Sequence, residues 1–390
     1  MLLWPHPGLR GATAPGPAPS SREEWDDAQG RGRGEPAERE ESAAREQPGD
    51  HQLFVTYRHV DLRTGLEAFR LLIPKGWQVE GAIAWSANPA LPATSDFRIH
   101  SQGGSEELRL FPTQSYFWTD NPLFLATNPP GSLRFGTLVA QPIDLDGAFR
   151  QLILPRFRPG VADLQIVGRE RVPELAALAA GTATPGVDAR AEGGKIRLTY
   201  REAGAAREEE IYAAVSQFRT DLPGSAISRP YFINYWFVDY VFSFRARKGQ
   251  LDAFARTFQT MIFSLRVNPQ WFAKVLNVKE ALVQLAIREI HAVGRMGEII
   301  ARAGSQIRED QQRAWEQRQQ VQDKIAQNFG DHIRGVERYT DPFSGKEVEL
   351  PSGYGHAWAN NLGEYVVTDN PDYNPNVGSN LHWNELPRAP

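Results

Sequence analysis

The sequence contains no cysteine, which excludes disulfides, thiolate zinc sites and cysteine nucleophiles. It has no apolar run near the roughly 18–20 residues a bilayer-spanning helix needs, so no membrane span is expected. Met1-Leu2-Leu3-Trp4 meets Pro5 at once, which leaves no secretory h-region. The default expectation is therefore a cytoplasmic chain. Lysine is scarce (Lys75, Lys195, Lys248, Lys274, Lys279, Lys324 and Lys346), so arginine supplies the rest of the 43 basic residues. The net charge of −4 lacks the basic excess of a nucleic-acid binder, and no nucleic-acid partner is expected. The eight histidines stand singly, none four residues from another. There is no G-x-S-x-G elbow, P-loop, G-x-G-x-x-G or H-E-x-x-H. No cofactor is expected.

What is present centres on Tyr231 to Val267. In Tyr231–Arg247 the even positions (Phe232, Asn234, Trp236, Val238, Tyr240, Phe242, Phe244) and the odd ones are both mainly apolar. A strand apolar on both faces must be covered on both. After Lys248-Gly249, the residues Leu251, Phe254, Ala255, Phe258, Met261, Ile262 and Leu265 recur at three- and four-residue steps, which is one face of a helix.

Residues 1–50 are rich in Pro, Gly, Glu, Arg and Ser, and are expected to be a disordered arm. From His51 short strands follow at Leu53–Arg58, Phe69–Ile73, Trp77–Trp85, Phe97–His100 and Leu108–Phe111. A helix is expected over Asp144–Phe157, a strand at Ala162–Val167 and an Ala-rich helix at Pro173–Ala180. Ile196–Tyr200 and Glu210–Phe218 are expected as antiparallel partners of the aromatic strand. Runs of strands with few helices indicate an α+β fold built on an antiparallel sheet.

Phe69-Arg-Leu-Leu-Ile-Pro-Lys-Gly-Trp77 resembles the opening hairpin of the PsbP-like family. Met261-Ile-Phe-Ser-Leu-Arg-Val267 is similar to that family's last helix and exit. The resemblance covers about 51–268. It implies an α/β/α sandwich that serves in binding or assembly rather than catalysis.

Beyond the sandwich, residues 269–335 read as a helical stalk. Val278, Leu282, Leu285, Ala286, Ile290 and Val293 form a stripe. Val293, Met296, Ile300, Ala303 and Ile307 then step like a coiled-coil seam, so either self-association or packing on the chain's own sandwich is expected. The tail, 336–390, reads as a separate small β unit with strands at Glu347–Leu350, His356–Ala359 and Tyr365–Thr368. Leu350-Pro-Ser-Gly-Tyr354, Gly363-Glu-Tyr365 and Trp383-Asn-Glu-Leu386-Pro387 resemble a WW domain. It departs from that pattern at Tyr354 for the first Trp, at Val366 for an aromatic, and in a longer loop before Trp383.

Three constellations carry candidate chemistry. Asp239, with Asn234, is polar inside the aromatic strand. A carboxylate there is either paired, with Arg219 or Arg245 as the expected partner, or tuned as an acid–base group. Asp369, Asp372 and Asn374 lie in an oxygen-rich loop that fits either a hard cation or ordinary turns. Tyr354, Trp358, Tyr365, Tyr373 and Trp383 form either a platform for carbohydrate or proline-rich peptide or the core of the tail. The expectation is a non-enzymatic binding or assembly protein. The alternatives are a hydrolase built around Asp239 or a structural component of an extracellular or particle assembly.

Overall fold

Alternation on β12 (Tyr231–Arg247) demands cover on both faces, and the computed structural model supplies it. The structure describes residues 51–291 and 336–388, apart from 135, 182–184, 225–228 and 378. The expected arm, 1–50, and the seam from Val293 to Ile307 lie outside the described residues.

In chain order the strands begin with β1 (His51–Val60), β2 (Glu67–Pro74), β3 (Gln78–Trp85), β4 (Ala93–His100), β5 (Glu107–Leu110) and β6 (Gln114–Thr119). Next come α1 (Pro122–Thr127), β7 (Leu133–Arg134), β8 (Thr137–Val139), α2 (Leu145–Ala148), a π-turn (Phe149–Ile153) and α3 (Leu154–Phe157). They are followed by β9 (Ala162–Arg171), α4 (Pro173–Ala180), β10 (Asp188–Glu202) and β11 (Ala205–Leu222). After β12 stand α5 (Ala255–Phe263), β13 (Arg266–Val267) and α6 (Pro269–His291). The last strands are β14 (Val336–Thr340), β15 (Glu347–Pro351), β16 (His356–Asn360), β17 (Glu364–Thr368) and β18 (Trp383–Glu385).

The fold is α+β and mostly sheet. The larger sheet runs β3-β4-β5-β12-β11-β10-β9, with β6 on β12 and β8. Long antiparallel registers join β10 to β11 and β11 to β12. Glu210–Phe218 thus partners the aromatic strand as expected, whereas Ile196–Tyr200 lies one strand further out, between β11 and β9. The β10–β11 hairpin turns on Ala203 and Gly204, both with positive φ, the twist-matched geometry of a two-residue turn. At Gly193 a Cβ would stand 2.5 Å from the Ala176 backbone nitrogen, so the start of α4 crosses β10 where only glycine fits.

One face of this sheet is covered by helix, where Leu145, Ala148, Phe149 and Ile153 pack on Ile196, Leu198, Ile211 and Val215. Asp144 caps that helix by accepting from the Gly147 N–H. The expected single helix over Asp144–Phe157 carries a π-turn ahead of Pro155, which has no N–H to continue the ladder. On the other face Phe97, Ile99, Tyr212 and Phe244 meet Phe258 and Met261 of α5 and also Phe69, Leu71 and Ile73 of β2. That face is thus shared by a helix and a second sheet, whereas an α/β/α sandwich has helices alone on each face.

The second sheet runs β13-β2-β1-β17-β16-β18. β17 pairs with β1 from His51↔Thr368 to Val55↔Glu364. The tail expected as a separate unit over 336–390 is therefore bonded into the same sheet as the chain's first described strands. Phe54 and Leu72 pack against Tyr339, Leu350, Ala357, Tyr365 and Val367. More than 300 residues separate Phe54 from Tyr365, so no local pattern in the sequence could report the contact.

The same turn is built twice. Asp61 accepts from the Arg63 N–H (3.1 Å) and the Thr64 hydroxyl (2.9 Å), with Gly65 closing the turn. Asp341 accepts from the Phe343 N–H and the Ser344 hydroxyl (2.8 Å each), with Gly345 in the same place. Each turn leads through a strand to Pro-x-Gly-aromatic: Pro74–Trp77 and Pro351–Tyr354. Both aspartates are buried, and each binds further: Asp61 accepts from the Trp85 and Trp271 indoles, Asp341 from the Tyr365 hydroxyl.

Deleting 336–390 should uncover Phe54 and Leu72, a loss of about 3–6 kcal/mol from those two side chains alone. Calorimetry of the shortened chain should show a strongly lowered or absent melting transition. An unchanged melting temperature would mean the tail is separable after all.

Candidate ligand cleft

The register of β12 against β11 shifts between Tyr212 and Ala214, so that Tyr240 and Val241 together oppose Ala213. Tyr240 takes up the extra residue with φ of 50°. This bulge exchanges the faces. Trp236 and Val238 before it share a core with Val241 after it, while Phe244 lies on the opposite side. The uninterrupted even–odd alternation expected from the sequence therefore fails at Tyr240. With both faces apolar, nothing in the pattern marks the slip.

The bulge lies opposite a break in the neighbouring ladder. β5 pairs with Phe242–Arg245, β6 pairs with Ile233–Val238, and the chain crosses between them through Pro112 and Thr113. Asp239 sits at this break. Its Oδ1 accepts from the Thr113 hydroxyl and from the Tyr240 N–H, both at 2.7 Å. Arg219 and Arg245, the partners expected for it, are engaged elsewhere, with Asp221 and with Glu107 and Glu202. Asn234 donates to Gln217 (3.2 Å).

Outside the break lies a cleft of about 630 Å³, within the size range of small-molecule sites. Its floor is Pro112–Tyr116, its rim the loop at Asn88, and its apolar walls include Leu133, Leu138, Leu282 and Leu285. Asn88 fixes the rim by donating to Ser115 Oγ (3.0 Å) and the Gly136 carbonyl (3.1 Å). Gln114 is 7% exposed. Its Oε1 accepts from the Tyr116 hydroxyl (2.8 Å) and from Arg156 (3.2 Å). Its Nε2 is buried with no partner among the described residues. Burial pushes the Tyr116 phenol up to about 12, against a smaller downward pull from Arg156, so the phenol remains a donor at neutral pH.

The end of α3 sends two arginines opposite ways. Arg156 reaches the cleft, whereas Arg158 turns inward. It makes a two-point contact with the fully buried Glu209, which also accepts from the Tyr200 hydroxyl at 2.8 Å. Beside it Glu107 accepts from Arg245 (2.6 Å) and Arg98 (2.5 Å). Burial raises the Glu107 pKa, but Arg245 and Arg98 outweigh it and hold the carboxyl below its usual range.

The other candidates are dispersed. Tyr365 lies in the core beneath the β14–β15 hairpin with Tyr354 packed against it. Trp358 alternates with Ala357 and Ala359 and so faces the other way; Trp383 is buried and Tyr373 half-buried. The five rings do not share one platform. In the oxygen-rich loop Asp369 accepts from the Gly355 N–H (2.9 Å) and Asn374 from the Asn376 N–H (3.0 Å). Asp372 is exposed and gives its N–H to Asn370 (3.0 Å). Among the described residues no three His, Asp or Glu side chains converge as metal ligands, and no helix is long and apolar enough to cross a membrane.

The fold and cleft define a sheet-rich α+β protein with an amphipathic ligand-sized cleft at a sheet break. No family model matches the chain, and no curated protein matches its sequence.

Breaking the Arg158–Glu209 pair by Arg158→Met should cost about 3–5 kcal/mol, because it strands a buried carboxylate. The double change with Glu209→Gln should recover part of that loss in denaturant melts. Strict additivity would show that pairing is not what matters. Glu107 contributes a pH dependence. Its folded pKa lies below the unfolded value of about 4.3, so its stabilisation is complete above that pH and is lost as pH falls through the folded value. Glu107→Gln should flatten the acid limb of the stability curve.

Proposed function

We propose that the protein is a non-enzymatic binding protein whose ligand seat is the cleft at the β5–β6 break. The observation that carries this reading is the lining itself. Fixed hydroxyls and amides, one guanidinium and several leucines surround a volume fit for a small molecule, while Asp239, the carboxylate bonded to Thr113 of the lining, is engaged by that hydroxyl and its own backbone. The resemblance to the PsbP-like family over about 51–268 supports the same class, since those domains serve mostly in binding and assembly. Self-association through the seam expected over Val293 to Ile307 is part of the proposal.

A ligand screen by saturation-transfer NMR should return small amphipathic compounds whose signals disappear in Leu138→Arg, which places a charge in the wall. Hits that survive this change would put the binding surface elsewhere. Light scattering of the full chain and of a variant carrying Ile300→Ser and Ile307→Ser checks assembly, with the expected oligomer lost in the variant.

One contact favours the second reading, a hydrolase. Thr113 lines the cleft and donates its hydroxyl to Asp239, as a base-assisted nucleophile would. Asp239→Asn keeps an acceptor oxygen, so stability should stay within about 1 kcal/mol. Ester hydrolysis by the native protein that vanishes in this variant would establish the enzyme. Unchanged ligand binding with no hydrolysis in either supports the binding protein.

A further inference from the structure

The cleft's polar groups are not equally free to meet a ligand. The Thr113 hydroxyl is given to Asp239, and Ser115 Oγ accepts from Asn88. Two donors remain. The Gln114 amide is oriented by Tyr116 and Arg156, both of which hold its oxygen. Its NH₂ group is thereby turned away from them, buried, and without an acceptor among the described residues. A buried donor left in this condition carries its full desolvation cost until an acceptor arrives. Arg156 is the second. Its interior counterparts Arg98, Arg158 and Arg245 all face carboxylates, but Arg156 pairs with no carboxylate among the described residues. Its contacts are the Gln114 oxygen and the Phe157 ring. The described lining of the cleft contains no Asp or Glu, and Arg156 is its one charged side chain.

We propose that the cleft takes a small-molecule carboxylate with an apolar body, the carboxylate seated between the Arg156 guanidinium and the Gln114 amide. A carboxylate has two oxygens for these two donors, and a charge-assisted bond to arginine is the stronger kind. The apolar part lies along Leu133, Leu138, Leu282 and Leu285, whose carbons offer nothing to a polar tail. Leu285 is 53% exposed in the absence of a ligand and would gain cover. A phosphate group fits less well, because it presents more charge than one guanidinium neutralises and no helix N-terminus lies among the lining residues. A cationic head would meet Arg156 with no compensating anion.

This inference rests on the cleft being the ligand seat, and the test separates the two claims. The full-length protein is titrated with octanoate, 1-octanol and octylamine, which share one apolar chain and differ in the head, with binding followed by calorimetry and by NMR of the cleft residues. Octanoate should bind about tenfold or more tightly than octanol, with octylamine the weakest, given the usual strength of a charged hydrogen bond. Arg156→Gln, a change at an exposed side chain, should erase the preference for octanoate. Octanol or octylamine binding as well as octanoate in the cleft would overturn the carboxylate inference and leave the cleft as the seat. Failure of all three to shift the cleft residues at millimolar concentration would overturn both.

Discussion

The larger sheet and its cleft depend on β12 being apolar on both faces. A strand of this kind has no stable place at a surface, so it becomes the strand to which β11, β5 and β6 all pair and around which two cores form. The bulge at Tyr240 belongs to the same constraint. It lets one continuous strand serve two ladders whose partner strands do not join, and the discontinuity between them is where the cleft opens. A positive φ at a tyrosine costs energy, and it persists because packing on both sides of the strand determines the backbone around it.

The second sheet is held by contacts remote in sequence. Asp61 accepts from two indoles and so ties the β1–β2 turn to β3 and to the start of α6. Its counterpart Asp341 ties the β14–β15 turn to β17 through Tyr365. Hydrogen bonds from the indoles and from nearby N–H and O–H groups overcome the upward pull of burial and keep Asp61 below the usual carboxylate range. The repeated Asp-x-x-(Ser/Thr)-Gly turn followed by Pro-x-Gly-aromatic shows one local solution used at both ends of the described chain.

Charge is divided between interior and cleft by a single helix end. Arg158 and Arg245 meet Glu209 and Glu107 inside the protein, where a lone charge would be untenable. Arg156, two residues from Arg158, points to the cleft instead. Residues two apart on a helix face nearly opposite sides, and Arg158 has already left the helical conformation as the C-cap of α3.

Sequence periodicity by itself determined most elements: the strands from β1 to β5, the strands β10, β11 and β12, the face of α5 and the strands of the tail are all legible as alternation or helical spacing. It also confined the chain to an α+β fold, because two-sided apolar strands require layers. The cleft was not legible. Gln114 and Arg156 are 42 residues apart, Asn88 and Leu285 much further, and a site assembled from a loop, a ladder break and two helices leaves no local pattern. Asp239 stood out as a polar residue in an apolar strand, but only the tertiary structure decided its partner, since the crossing between β5 and β6 brings the Thr113 hydroxyl to it. The membership of the tail in the first sheet was decided the same way. Strand pairing depends on which edges meet in space, and the sequence of either strand alone holds no record of its partner.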